Sequence, residues 1–195
     1  MEAKACGLIV IAGPALQPDW AANLTELAAR FRPAAIIFKA PSREPLAEFL
    51  KKAKPLQLAV LLADAVDDVR NSGADGIYFS SPDANLVQAR QTLGSGAIIG
   101  VACGLSRHAA MESAEAGADF FAFNASNPSA WEEAADLSSW WGEVTEVPGA
   151  LLLGTSRPDS SLLTAGRPDF VLLEETGHAG ESLTFAIELG LQSQT

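Results

Sequence analysis

Apolar residues in this chain come in short runs that stop abruptly at polar ones, and the stops recur in one form. GADGIYFSS (73–81) and GADFFAFNAS (117–126) both read Gly-Ala-Asp, an apolar run, then small polar residues. RPAAIIFKAPS (32–42) and GRPDFVLLEET (166–176) repeat the design more loosely, so the four copies start 41, 44 and 49 residues apart. Recurrence at such intervals marks a repeated supersecondary unit. Each run is short and does not alternate cleanly, as expected of a strand buried on both faces. A glycine suited to ending a helix precedes three of the four.

Four more runs lie between the copies: GLIVIAG (7–13), LQLAVLLAD (56–64), AIIGVACG (97–104) and GALLLGTS (149–156). A helix-like stretch follows each strand candidate. In 18–31, Trp20, Leu24, Leu27 and Phe31 form one core-facing stripe. Ser42 is placed to cap 42–54, whose lysines gather at the end that the helix dipole favours. Asp83 and Ser106 open the next long helices, Ser129 to Glu132 reads as a capping box, and 180–190 ends the series. The third helix (AVDDVRNS) and the seventh (around PDSSLLTAG) are short. Eight β-α units demand a parallel sheet with right-handed crossovers. They close most economically as a single (β/α)8 TIM barrel over residues 1–195, compact beside the ~250 residues typical of that fold. An open doubly wound sheet is the alternative, although no G-x-G-x-x-G follows the first strand.

Composition narrows the function classes. The chain is 48% hydrophobic but has no run of eighteen apolar residues, so no membrane span is expected. Its N-terminus does not read as a signal peptide, and Cys6 and Cys103 give no disulfide framework, which points to the cytoplasm. A net charge of −11 argues against nucleic acid or anionic lipid as the main partner.

A barrel of this kind works at the C-terminal ends of its strands. Residues 13, 14, 39, 64, 80–83, 103, 104, 124–127, 154–157 and 174–178 collect there. Asp64 and Asp83 follow neighbouring strands and can share one Mg²⁺, a hard ion that accepts a few carboxylates beside water and phosphate oxygens. Each aspartate also suits the N-cap of the helix after it. Gly154, Thr155, Ser156 and Arg157, with Gly177, supply small residues and backbone amides where this fold usually binds phosphate. Glu174 and Glu175 oppose an anion there. Cys103 reads more simply as filler than as a reactive thiol, His108 as surface and His178 as a turn residue. Trp140 and Trp141 cannot both face the barrel, which leaves one as a candidate homodimer contact.

From GADGIYFSSPDANLVQAR through AIIGVACGLSRHAAMESAEAGADFFAF, the sequence resembles thiamine-phosphate synthase and its thiazole-tautomerase relatives. That family shows a GADGVHLGQEDLP-type segment, an IIGVS strand, then a helix and a second GAD strand. PAAIIFKAP and WWGEVTEVP resemble a divergent bacterial branch of it. The resemblance implies a small barrel that joins hydroxymethylpyrimidine diphosphate to thiazole phosphate with Mg²⁺. It implies metal-binding roles for Asp64 and Asp83 and a diphosphate contact for Lys39, so the ligand would be a small phosphorylated or heterocyclic molecule. The chain also departs from the pattern. Ala63 stands for the family's Asn, Ala102 for a Ser, and no lysine occurs after Lys54. Glu174 or Glu175 replaces a serine, and Ala125 falls where the tautomerase has its histidine. Too few cations remain for a diphosphate and a phosphate together, so an inactive, ligand-binding member is the alternative expectation.

Overall fold

A computed structural model describes residues 6–12, 32–39, 43–175, 185, 186, 189 and 191. The helix expected over 18–31, the Ser42 cap, Gly13, Pro14, Gly177, His178 and most of 180–190 lie outside the described residues. All eight expected strands are present: β1 (Gly7–Ala12), β2 (Ala35–Phe38), β3 (Ala59–Ala63), β4 (Gly76–Phe79), β5 (Ile98–Gly104), β6 (Phe120–Asn124), β7 (Gly149–Gly154) and β8 (Phe170–Glu175). Each runs parallel to its neighbours, and β8 pairs with β1 to close the barrel. The open sheet is thereby excluded. Between strands lie α1 (Arg43–Ala53), α2 (Val66–Ser72), α3 (Leu86–Leu93), α4 (Arg107–Glu115), α5 (Trp131–Val144) and α6 (Ser161–Gly166).

Two apolar clusters follow from strands buried on both faces. One lies between strands and helices and includes Phe38, Phe121, Phe123 and Trp141. The other fills the barrel and includes Ile11, Ile37, Tyr78, Ala102, Ala122 and Leu172. Because side chains alternate along a strand, the next inward positions of the even strands are Lys39, Ser80, Asn124 and Glu174. Those four make the uppermost inward layer, above the odd-strand layer of Ile11, Ala63, Ala102 and Leu152. Lower down, the ring of Phe120 occupies the space that Gly100 leaves: a Cβ at residue 100 would lie 2.1 Å from it. Tyr78 stacks on that same ring, with centroids 6.0 Å apart.

The repeated motif has a mechanical role. Asp75, Asp119 and Asp169 each donate their backbone N–H to the carbonyl of Val60, Ile99 and Gly149 respectively. The carboxylate of each then accepts the N–H of that same residue, at 2.8, 2.7 and 3.0 Å. Each aspartate therefore clips the start of an even strand to the odd strand before it. Two residues upstream, Gly73, Gly117 and Arg167 all take a left-handed conformation. In the last copy that residue is Arg167 and not the expected Gly166, which instead lets the backbone of Ala135 approach closely.

Several helix caps differ from expectation. Asp64 is not an N-cap: its carboxylate turns away to Ser80, and Ala65 precedes α2 with no side-chain cap. Asp83 is displaced by Asn85, whose Oδ1 accepts the N–H of Gln88 at the start of α3. The expected capping box at 129–132 gives way to a 3-10 turn, Pro128–Ala130, capped by Asn127. Ser106 caps α4 as expected. Within α5, Trp141 is buried against Phe121 and Phe123, while Trp140 lies under the Arg107 guanidinium.

Candidate functional site at the barrel mouth

The mouth is built on the turn that follows β4. Asp64, at the tip of β3, holds a left-handed backbone (φ 54°) that Asp tolerates better than most residues. Its Oδ1 accepts the N–H of Ser80 at 2.9 Å. Next in the turn, Ser81 Oγ donates to Asp83 Oδ2 at 3.1 Å. Two carboxylates thus flank one dipeptide, Ser80–Ser81, and both are exposed. Among the described residues no group of three or more His, Cys, Asp or Glu gathers as a metal cluster. What the turn offers is a pair of hard oxygen donors. That fits Mg²⁺, which takes one or two carboxylates and completes its shell with water and substrate phosphate.

Across the mouth, Lys39 Nζ meets Glu174 Oε1 at 2.7 Å, with both side chains partly exposed. Strand alternation sends Glu174 inward and its neighbour Glu175 to the opposite, buried face. Asn124, exposed at the end of β6, accepts from Ser126 N–H and Oγ, which fixes its carbonyl oxygen.

The expected phosphate segment is only partly brought to this layer. Gly154 (φ 58°) ends β7 at a register shift, and Ser156 N–H is taken by the carbonyl of Leu153. Thr155 is exposed, and Arg157 lies 4.7 Å over the ring of Phe185. The start of α6 already holds a carboxylate: Asp159 accepts both the N–H and the hydroxyl of Ser161. Those hydrogen bonds, the hydroxyl's first, hold Asp159 below its ordinary carboxylate value. Cys103 faces the helix layer, buried against Ser113, and burial pushes its thiol up to about 11. His108 is exposed beside Glu112.

Sequence reading missed Tyr78. It sits two residues before Ser80 on the same inward face, and its buried hydroxyl has no hydrogen-bond partner among the described residues. Burial raises its pKa well above the ordinary value, with the charges of Cys103 and Asp64 adding to the shift, so the phenol stays protonated. Two-residue alternation back from Ser80 was the available signal.

A parallel eight-stranded barrel whose polar inward layer opens at the strand C-termini is the architecture of the (β/α)8 enzymes. The family model described as thiamine monophosphate synthase matches residues 11–146. The thiamine-phosphate synthase of Rhodospirillum centenum is 31% identical over 178 residues, covering 85% of this chain and 86% of the relative. That of Erythrobacter litoralis is 35% identical over 150 residues, covering 69% and 70%. The chain therefore belongs to the thiamine monophosphate synthase family. Among solved structures, thiamine phosphate pyrophosphorylase from Pyrococcus furiosus superposes with a TM-score of 0.71 at 18% identity, covering 96% of this chain and 95% of that one. A tryptophan synthase chain from M. tuberculosis superposes at 0.69 with 14% identity, covering 98% and 94%; at such identities the likeness speaks for the fold alone.

Proposed function

We propose that this protein joins hydroxymethylpyrimidine diphosphate to thiazole phosphate, the reaction of thiamine-phosphate synthases. The observation that carries this reading is the pair of aspartates flanking Ser80–Ser81 at the barrel mouth. Asp64 and Asp83 would hold Mg²⁺, which supplies positive charge to the departing diphosphate. The chain's own residues do the rest. Ser80 N–H orients the Asp64 carboxylate, Lys39 offers a cation to the diphosphate, and the Asn124 amide donates to a ligand lying over Ala63 and Ala102. Thr155 and Arg157 are the groups left for a second phosphate.

The Lys39–Glu174 ion pair favours a second reading. A carboxylate already neutralises the mouth's inward cation, so a member that binds a heterocyclic ligand with little or no turnover is the alternative. One experiment separates them. Protein, both substrates and Mg²⁺ are combined beside an active family member, and thiamine phosphate is measured. Mg²⁺-dependent product, abolished in Asp83→Ala, supports synthesis. Absence of product with the control active supports the second reading. Unchanged turnover in Asp83→Ala removes the metal role from that residue.

A further inference from the structure

At the opposite end of the barrel from the mouth, α1, α2 and α3 end around a groove of about 1050 Å³. Its apolar floor includes Leu58 just before β3, Ile98 at the start of β5 and Val69 of α2. Its rim carries Lys51, Lys54 and Arg70, all exposed. In a chain of net charge −11, with 24 carboxylates, cations are expected to find acidic partners. Three elsewhere do, Lys39 with Glu174, Arg90 with Asp119 and Arg167 with Glu143, while Arg107 and Arg157 lie over aromatic rings. The three rim cations have no ion pair or ring contact among the described residues. The groove's one carboxylate, Asp75, is committed to the N–H of Val60. Lys51 and Arg70 also suit the C-terminal dipoles of their helices. That accounts for their place along each helix but not for their convergence on one apolar concavity.

We infer that this groove is a second binding site, for an organic anion with an apolar body such as an acyl or aryl carboxylate or phosphate. The floor takes the apolar part, and Lys51, Lys54 and Arg70 take the charge. Charge complementarity fixes the sign of the ligand, and the buried Leu58, Val60 and Val69 side chains that line the groove favour an apolar body. The site is independent of the reaction at the mouth.

The test is amide chemical-shift mapping on the ¹⁵N-labelled full chain at low salt, titrated separately with octanoate, octyl phosphate, octylammonium and inorganic phosphate. Saturable shifts at Leu58, Gly73 and Ala97 with the two amphiphilic anions are expected, and little effect from octylammonium or inorganic phosphate. K51Q/K54Q/R70Q should bind octanoate at least tenfold more weakly, with a cooperative unfolding transition and only the small drop in thermal midpoint that the lost helix-dipole contacts predict. Raising ionic strength should weaken wild-type binding in the same direction, as exposed charges are screened. Shifts confined to Ser80 and Asn124, equal binding of octylammonium, inorganic phosphate binding as tightly as octanoate, or no saturable binding would each overturn the proposal.

Discussion

At Asp119 one residue of the neighbouring strand, Ile99, both receives a hydrogen bond and gives one, and Arg90 closes the carboxylate from outside at 2.7 Å. Asp119→Ala would leave the Ile99 N–H without its acceptor in a partly buried place. We expect a loss of about 1–3 kcal/mol in urea unfolding, with Asp119→Asn losing less because an acceptor remains. Cys103 acts on stability through pH. The fold holds its thiol up to about 11, whereas the unfolded chain ionises near the ordinary ~8.5. Folding therefore keeps a proton that the unfolded state gives up. The contribution is complete below pH ~8.5 and is lost as pH rises toward 11, on the order of 2–3 kcal/mol. The thermal midpoint should fall across that range, and Cys103→Ala should flatten the fall. A thiol reagent at pH 8 should leave Cys103 unmodified until the protein unfolds.

The elements were far more legible in the sequence than the contacts that begin them. Strands buried on both faces are written as continuous apolar runs, and Asp clips precede three of them, two within Gly-Ala-Asp and one within Arg-Pro-Asp, so their number and order could be read directly. Caps could not. Before α3 the chain offers Asp83 and Asn85 within three positions, and the turn geometry, not residue type, selects Asn85. Asp64 is likewise removed from capping by a left-handed backbone that aims its carboxylate at the next loop. The consequence is measurable. Asn85→Ala should cost ~1 kcal/mol of stability, while Asp83→Ala should cost much less in the same assay. That difference also makes Asp83→Ala a clean test of chemistry, since loss of turnover in that variant could not be ascribed to a frayed α3.

For the molecule as a whole, closure is what creates the site. Lys39 and Glu174 stand 135 residues apart in the chain and meet only because β8 pairs with β1, which pairs with β2. No local pattern announces that contact, so the sequence showed a cation and a carboxylate at strand tips without showing that one neutralises the other. The pair decides what the mouth can bind. An arriving diphosphate must meet Lys39 with a carboxylate already 2.7 Å from its ammonium, and the like charge of Glu174 opposes the incoming anion. Over roughly 6–12 Å at an effective dielectric near 20, such repulsion is worth about 1–3 kcal/mol. Glu174→Gln keeps an acceptor for Lys39 and removes the charge. Inorganic pyrophosphate should then bind about tenfold more tightly in low-salt calorimetry, and Lys39→Gln should weaken it relative to wild type. If Glu174→Gln gains affinity for pyrophosphate and turnover together, the carboxylate is a brake on synthase chemistry. If affinity rises and turnover does not, the missing lysines after residue 54 are the deeper loss, and the mouth serves a ligand that carries less negative charge.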